Sequence, residues 1–365
     1  MTGNAKTAIA CSSSNEYAPY LSVWLQSILD HASKNTNYHI FVFERDITEI
    51  NKNKLRRMLP KDNFSLTFIN PTELFKGVTL TVTLPYFKEE CYFRVAAPVI
   101  LNQFERIIFT DLDLVFQADP LNLAHIDLKG NIIAACKEAM FPFIYKENPN
   151  FQGFFVQTYT DNVLKISPEN YFNTGVVVFD VKRYNERNTF EKIIDLIKDN
   201  HFLYQEQCAL NIECNGKIHT LCRTWNFEIS DILLHNHEIS NYVDDFENAN
   251  IIHFLGALKP WKDPSAEYAY LWWQYAQKTP FYEEILSRLI DFKISERLKV
   301  FNQQKLNNTL LYMALHLIYF RLKKLRYRLM KHITFGKKKE KYEEKYKSLK
   351  TQIKASRQFI IDDEN

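Results

Sequence analysis

Short apolar runs alternate along the first 110 residues with segments whose apolar residues recur at helical spacing. Four of the runs have the length and composition of β-strands: Thr7–Cys11, Tyr38–Phe43, Phe64–Ile69 and Arg106–Thr110. Residues 20–29 and 47–58, between them, follow the period of an α-helix. Repeated strand–helix–strand units predict an α/β domain with a mainly parallel sheet, in which ligands bind at the carboxyl ends of the strands.

A second pattern begins near residue 310, where apolar residues recur at alternating steps of four and three. They are Leu311, Leu315, Ile318, Leu322, Leu325 and Leu329. This spacing predicts an amphipathic helix. Its apolar run from Leu310 to Phe320 has 11 residues, which is too short to span a bilayer. We therefore divide the chain into an α/β domain, residues 1–280, and a helical basic region, residues 281–365.

Composition places the chain among large globular proteins, since 46% of its 365 residues are hydrophobic. Its six cysteines are scattered without a CxxC pair, which indicates reduced thiols and no structural zinc site. The first residues hold no apolar segment of signal-peptide length. We expect a cytoplasmic protein.

Charge is distributed unevenly. Residues 321–350 hold 13 lysines and arginines against three acidic residues, whereas the rest of the chain holds 33 against 40. A basic amphipathic helix followed by Lys337–Lys339 favours docking on the anionic inner face of the cytoplasmic membrane. A helix packed on the α/β domain with a solvated charged tail stays open as the alternative. Nucleic acid is not an expected partner, because no recognised nucleic-acid-binding fold accompanies the basic patch.

Two carboxylates, Asp111 and Asp113, follow the fourth predicted strand in the stretch FTDLDLVF. On a strand they point the same way and repel each other unless water or a cation lies between them. The chain has eight glycines and neither a GxGxxG nor a P-loop motif, so a glycine-rich phosphate cradle is disfavoured. A divalent metal on the two aspartates would supply the charge that a diphosphate needs. A solvated strand end is the alternative interpretation of the pair.

Three later segments have side chains suited to the same site. Asn173-Thr-Gly175 precedes an apolar strand, Glu206-Gln207 begins a helix-like run, and His253 is followed by Gly256 and Lys259. A metal ligand, a close backbone approach and an ammonium within seven residues suit a loop around a metal-bound diphosphate. Taken singly, the same segments also suit a turn, a polar helix start and a core histidine.

Taken together and in this order, the motifs resemble those of glycosyltransferase family 8. This family of retaining nucleotide-sugar transferases includes bacterial lipopolysaccharide galactosyl- and glucosyltransferases and, more distantly, glycogenin. The matching pieces span residues 7–265: Tyr17-Ala18, Tyr92-Phe-Arg94, Asp111-Leu-Asp113, Ala135-Cys-Lys-Glu138, Asn173-Thr-Gly175, Gln205-Glu-Gln207 and His253-x-x-Gly256-x-x-Lys259-Pro-Trp261. The resemblance implies a GT-A type nucleotide-sugar-binding fold for residues 1–280, followed by the C-terminal helical basic extension.

The resemblance also implies a role for each matching residue. Asp111, Asp113 and His253 would hold Mn2+, or Mg2+ as the alternative, against the diphosphate of UDP-galactose or UDP-glucose. Other donor contacts would come from Tyr17 and Ser14 near the uracil, Gly256 and Lys259 at the phosphates, Arg94, Asp111, Asn173, Glu206 and Gln207 around the sugar, and Glu138 near the sugar and acceptor. Two residues depart from the galactosyltransferase-like pattern, since Ser14 and Cys208 stand where those members carry aspartates.

The implied reaction is retaining transfer of galactose or glucose to a saccharide, such as lipopolysaccharide, lipooligosaccharide or another surface glycan, which can be lipid-linked. An amide is a weak nucleophile, so Gln207 favours front-face attack, in which the departing phosphate accepts the acceptor's proton. Double displacement is the other route. A protein of a different class also fits the motifs: a sugar-nucleotide-binding or scaffold protein weakened in catalysis by Ser14 and Cys208.

Overall fold

The computed structural model describes residues 7–34, 36–60, 62–83, 88–147, 150–151, 154–230, 246–256, 259–303, 309–333 and 336–362. The chain divides into two compact units, residues 1–286 and 287–365. The domain boundary predicted from the sequence lies after residue 280. Residues 1–6 of the first predicted domain, and 257–258 within the histidine motif, lie outside the described residues.

Twelve strands lie in the described residues of the first unit. Their bounds are β1 Thr7–Ser12, β2 Tyr38–Phe43, β3 Phe64–Ile69, β4 Arg106–Thr110, β5 Leu114–Phe116, β6 Ile133–Lys137, β7 Asn150–Phe151, β8 Phe154–Phe155, β9 Phe172–Asp180, β10 Ile218–Thr220, β11 Phe227–Ile229 and β12 Ile251–Phe254. Seven of them form one sheet in the order β10-β6-β9-β4-β1-β2-β3. Every pairing in it is parallel except those of β9, so the predicted α/β class with a mainly parallel sheet is confirmed.

Helices connect the strands and form the C-terminal region. Their bounds are α1 Ala18–His31, α2 Glu49–Arg56, α3 Ala97–Ile100, α4 Phe141–Glu147, α5 Val156–Tyr159, α6 Val181–Glu186, α7 Thr189–Asp199, α8 Gln205–Glu213, α9 Ala269–Ala276, α10 Tyr282–Gln303, α11 Thr309–Ile333 and α12 Lys337–Asp362. The helices predicted at 20–29 and 47–58 are confirmed as α1 and α2. Thr48 caps α2, because its side chain accepts a hydrogen bond from the Asn51 N–H.

The central strands β1, β4, β6 and β9 are buried on both faces of the sheet, which is why they are largely apolar, whereas the edge strands β3 and β10 are partly exposed. In β1, Ile9 and Cys11 belong to one hydrophobic cluster, while Ala8 and Ala10 belong to another on the opposite face. Trp24 of α1 packs in the first cluster, and its indole N–H donates to the Thr110 hydroxyl at 2.8 Å. This contact ties α1 to the carboxyl end of β4.

The reversed strand β9 brings distant motifs to one edge of the sheet. It lies between β4 and β6 and runs antiparallel to both, so its first residues meet their last ones. The Asp111 N–H donates to the Gly175 carbonyl at 2.9 Å, and the Glu138 N–H donates to the Tyr171 carbonyl at 3.0 Å. The start of β9 therefore lies at the carboxyl edge, where ligands of parallel sheets bind.

A smaller sheet, in the order β11-β12-β5, positions the histidine motif. Strand β12 runs antiparallel to β5, with His253 opposite Leu114. The Phe254 N–H donates to the Asp113 carbonyl at 2.8 Å. This register places His253 beside the aspartate pair, although 140 positions separate His253 from Asp113.

In the second unit, α11 confirms the amphipathic helix predicted from the leucine spacing. It packs along α12, with the ring centroids of Tyr327 and Tyr342 6.1 Å apart. Arg326 donates to Asp291 and to Ser287. The opposite face of α11 leaves four apolar side chains about half exposed: Ile318, Leu322, Leu325 and Leu329. The side chain of Leu311 lies outside the described part of the chain.

Candidate active site

A cleft of about 470 Å³ opens at the carboxyl edge of the main sheet. Strands β1 and β4, the start of β9 and the loop after β12 all contribute to its lining. The cleft brings together all twelve site residues named from the sequence: Ser14, Tyr17, Arg94, Asp111, Asp113, Glu138, Asn173, Glu206, Gln207, His253, Gly256 and Lys259.

The two aspartates lie in the link between strands and not on a strand face. Strand β4 ends at Thr110 and β5 begins at Leu114, so the predicted alternation of a strand does not apply to Asp111 and Asp113. They nevertheless converge. One ligand atom each from Asp111, Asp113 and His253 lies within 4.8 Å of the other two. Two carboxylates and an imidazole nitrogen fit a divalent cation such as Mn2+.

Two basic side chains offset the charges of the aspartates. Arg94, whose side chain is 3% exposed, donates to Asp111 and to the Glu206 carboxylate, the latter at 2.8 Å. The Lys259 ammonium lies 2.5 Å from Asp113 Oδ2 and 2.6 Å from the Phe254 carbonyl. Burial raises the pKa of Asp113, but Lys259 and His253 lower it more, and the net pKa lies below the ordinary value. Both aspartates therefore have a cationic partner in this structure.

The imidazole of His253 is held from two sides. Its Nε2 lies 3.1 Å from Asp113 Oδ1 and 3.7 Å from Asp111 Oδ2, and its Nδ1 lies 2.9 Å from Asn226 Oδ1. A Cβ on Gly175 would lie 2.5 Å from Nδ1 and still nearer to Cε1. The glycine in the Asn-Thr-Gly motif thus makes room for the histidine ring.

Gln207 is fixed by Thr174 at the start of β9. The Thr174 N–H and hydroxyl donate to its side-chain oxygen at 2.9 and 3.0 Å. Because the N–H can only donate, the atom facing Thr174 is the amide oxygen. The amide nitrogen lies 3.5 Å from the Tyr171 hydroxyl.

Glu206 is buried beside two charged groups. Burial raises its pKa, Arg94 lowers it and Asp111 raises it, with a net value of about 7. The carboxylate is thus only partly ionised near neutral pH, although Arg94 is 2.8 Å away. A buried carboxyl group that titrates near pH 7 is characteristic of functional clefts.

The cleft also has an aromatic wall. The ring centroids of Tyr17 and Trp261 are 6.5 Å apart, and Trp261 stacks on Tyr20 at 4.3 Å. The Ser14 hydroxyl is buried and has no hydrogen-bond partner among the described residues. Gly256 has a φ of +78°, a conformation that favours glycine in the loop after β12.

Comparison with known proteins decides the family. The profile of glycosyl transferase family 8 matches residues 8–265. The chain belongs to this family. A putative glycosyltransferase of Haemophilus influenzae is 25% identical over 61% of this chain and 64% of its own length. The lipopolysaccharide 1,2-glucosyltransferase of Escherichia coli is 30% identical over 48% of this chain and 52% of its own length. Each match thus spans less than two thirds of the curated relative.

Solved structures share the fold of this family 8 chain. The bifunctional glycosyltransferase WbbM has a TM-score of 0.71 and 24% identity, covering 80% of this chain and 53% of its own. The galactosyltransferase LgtC, solved with donor and acceptor sugar analogues, has a TM-score of 0.58 and 21% identity, covering 75% of this chain and 96% of its own. The GT-A type fold expected from the motifs is confirmed.

Cys208, one of the two positions at which this family 8 chain lacks an expected aspartate, does not line the described part of the cleft. Its thiol is fully buried, 3.3 Å from the Tyr159 hydroxyl and 3.1 Å from that of Tyr171. Burial raises the pKa of the thiol, which therefore stays protonated. Cys208 packs behind the cleft wall.

Two buried polar residues near the family 8 motifs were missed by sequence reasoning. Asn226 and Glu228 are each 1% exposed. Burial and the nearby Glu138 raise the pKa of Glu228 well above its ordinary value. The only sequence signal is that they alternate with Phe227 and Ile229, which predicts a strand with one polar face but not what that face contacts.

Proposed function

We propose that this protein is a retaining hexosyltransferase. It moves galactose or glucose from a UDP-sugar to a saccharide acceptor, as part of lipopolysaccharide or another surface glycan, with Mn2+, or alternatively Mg2+, as cofactor. The observation that carries the proposal is the cluster of Asp111, Asp113 and His253 within 4.8 Å in the lining of a cleft of about 470 Å³.

The surroundings of the cluster suit a diphosphate donor. A divalent cation held there would supply positive charge to the diphosphate as it leaves. Lys259 lies at the cluster and adds an ammonium that can pair with a phosphate oxygen once Asp113 is engaged elsewhere. Gly256, at the exposed start of the same loop, lets the backbone approach closely.

The sugar pocket is built from groups that orient hydroxyls. Arg94 holds Asp111 and Glu206 in place, and the Asn173 amide donates to Glu138 at 2.7 Å. Carboxylates and amides at these positions can bind sugar hydroxyls in a single orientation. Their contribution to the reaction is positioning and electrostatic stabilisation.

The contacts of Gln207 favour front-face attack over double displacement. Its oxygen, the atom that would have to attack the anomeric carbon, already accepts two hydrogen bonds from Thr174. Both bonds withdraw electron density from an amide that is a weak nucleophile to begin with. The departing phosphate is then the base for the acceptor hydroxyl, and the product keeps the α configuration of the donor.

A sugar-nucleotide-binding or scaffold role is the second candidate. It was raised by the loss of aspartates at positions 14 and 208. Cys208 lies behind the cleft wall, so its change leaves the cleft residues in place. Ser14 still offers a hydroxyl to the cleft. We therefore favour the enzyme.

Assays with Mn2+ separate the two candidates. The protein is first screened with UDP-sugars for thermal stabilisation, since a bound ligand raises stability by mass action. The stabilising donor is then incubated with candidate saccharide acceptors, and UDP release and product linkage are followed. The enzyme predicts UDP release that depends on Mn2+, whereas a scaffold predicts stabilisation without release.

We also propose that the protein works in the cytoplasm, bound peripherally at the inner face of the cytoplasmic membrane. The apolar stripe on α11, made of Ile318, Leu322, Leu325 and Leu329, is 47–58% exposed. Arg321 and Arg328 are exposed beside it. Apolar side chains next to arginines match an anionic lipid surface, where each basic residue contributes about 1 kcal/mol. No described helix combines the length and apolar character needed to cross a membrane.

A further inference from the structure

A chain of hydrogen bonds runs beneath the cleft from Glu138 to His253, and we call it the amide relay. Asn173 donates to Glu138 Oε2 at 2.7 Å, Asn226 donates to Asn173 Oδ1 at 2.9 Å, and Asn226 Oδ1 lies 2.9 Å from His253 Nδ1. Asn173, Asn226 and His253 are each at most 4% exposed. Water therefore does not compete for these contacts.

Gly175 fixes the direction of the relay. Its backbone N–H can only donate, so the atom that it contacts at 2.7 Å is the side-chain oxygen of Asn173. The Asn226 atom that is 2.9 Å from the same oxygen must then be the amide nitrogen. This leaves the Asn226 oxygen facing the imidazole, so Nδ1 of His253 carries the proton. At the other end of the relay, the Asn173 amide nitrogen donates to the Glu138 carboxyl oxygen Oε2, which is consistent with this direction.

The proton on Nδ1 determines what the other ring nitrogen of His253, Nε2, can do. With the proton on Nδ1, Nε2 is the ring nitrogen that faces Asp113 and Asp111, at 3.1 and 3.7 Å, and it is the one left to bind a cation. Without a cation, Nε2 lies close enough to Asp113 to donate a hydrogen bond from a protonated ring, whereas in a neutral ring the same nitrogen offers its lone pair to a metal. Metal-bound histidines commonly donate their second N–H to a carbonyl or carboxylate oxygen, which fixes the tautomer.

We propose that Asn226 is a positioning residue that prepares His253 for a divalent cation and holds Asn173 toward the donor sugar with the same side chain. The proposal rests on the metal-dependent function proposed above. The amide oxygen of Asn226 sets the tautomer of the His253 imidazole, and its amide nitrogen orients the Asn173 oxygen. Asn226 therefore couples the cation site to the sugar pocket.

Two substitutions separate the two halves of this role. Asn226→Ala removes both contacts. Asn226→Asp keeps an oxygen to accept from His253 Nδ1 but cannot donate to Asn173. Asn185→Ala is the matched control, because it removes one amide hydrogen bond, to the Pro98 carbonyl, outside the cleft lining. Circular dichroism identifies variants that remain folded.

The first readout is Mn2+ binding to the full chain, measured by electron paramagnetic resonance without any sugar. Asn226→Ala is expected to weaken binding about 10- to 100-fold. Asn226→Asp is expected to bind Mn2+ at least as tightly as the wild type. Because this variant cannot donate a hydrogen bond to Asn173, its defect should instead appear as a raised KM for the UDP-sugar. Equal Mn2+ affinity in the wild type and Asn226→Ala would overturn the proposal, as would equally weak binding in both variants. If Asn226→Ala does not fold, the Asn226→Asp result decides.

The second readout needs neither metal nor activity. Nitrogen-15 spectra of histidine-labelled protein report which ring nitrogen of His253 carries the proton. At pH values where the ring is neutral, the wild type and Asn226→Asp should show the Nδ1–H form, and Asn226→Ala should shift toward the Nε2–H form. A wild-type Nε2–H form would overturn the inference, whereas an Nδ1–H form in a protein that does not bind Mn2+ would count only against the proposed function.

Discussion

Thr174 donates two hydrogen bonds to one atom of Gln207, from its backbone N–H at 2.9 Å and from its hydroxyl at 3.0 Å. The amide oxygen of Gln207 is thereby turned into the cleft wall. A side chain held in this way can orient a substrate through its amide nitrogen, but its oxygen is a poor candidate for covalent catalysis.

Replacing Gln207 by alanine should slow sugar transfer about 10- to 1000-fold without abolishing it, because positioning is lost while the leaving group still acts as base. The linkage of the first product should remain α in an NMR time course. Thr160→Val is a suitable control, since it removes a buried hydroxyl that has no partner among the described residues. A covalent sugar trapped on the enzyme would instead establish double displacement.

Asp111→Asn and Asp113→Asn should each remove most of the turnover while leaving the fold intact, because both side chains line the cleft and neither belongs to the core. Excess EDTA should inactivate the wild type in the same way. Asp195→Asn, which changes an exposed aspartate paired with Lys198, should leave both the turnover and its sensitivity to EDTA unchanged. Full wild-type turnover in EDTA would exclude the metal.

Glu206 should make stability depend on pH. Its pKa is about 7 in the fold against an ordinary value of 4.5, so the folded state holds the proton more tightly. The resulting stabilisation is fully present below about pH 4.5 and is lost as pH rises to about 7. Glu206→Gln removes this dependence, so the melting temperature of the variant should rise relative to that of the wild type as the pH increases from 5 to 8. A difference in melting temperature between variant and wild type that stays constant across that pH range would contradict the raised pKa.

Gly175→Ala should destabilise the protein by about 1–3 kcal/mol, because the added Cβ overlaps the imidazole of His253. Gly77→Ala is the matched comparison, since Gly77 has a φ of +78° but open space around it. That change costs about 1–2 kcal/mol through backbone strain alone. Denaturant melts should show losses in both variants, whereas weakened Mn2+ binding should appear only in Gly175→Ala.

The full chain should bind anionic vesicles in a salt-sensitive manner through the α11 stripe. Changing Leu322 and Leu325 together to serine should lower sedimentation with anionic vesicles, because it removes the apolar contact while keeping the charge. Ile50→Ser, which changes a 72% exposed side chain of α2, should leave binding unchanged. Equal sedimentation with neutral and anionic vesicles would exclude the membrane role.

Local pattern was enough to predict much of this protein. The apolar runs of β1 to β4, the helical periods of α1 and α2 and the leucine spacing of α11 each depend on neighbours within a few residues. The order of the motifs was enough to name the family. The expectation that ligands bind at the carboxyl ends of strands also located the cleft.

What only the tertiary structure decided depends on residues far apart in the chain. Nothing in the Asn-Thr-Gly motif indicates that β9 runs against its neighbours, yet this direction brings Asn173 to the carboxyl edge. Asn226 is an ordinary polar residue until a fold places it within 2.9 Å of a histidine 27 positions away. The same is true of Arg94, which meets Glu206 across 112 positions. Sequence periodicity records which face of an element is buried, but the partners, their distances and the direction of each hydrogen bond arise only when separate elements pack together.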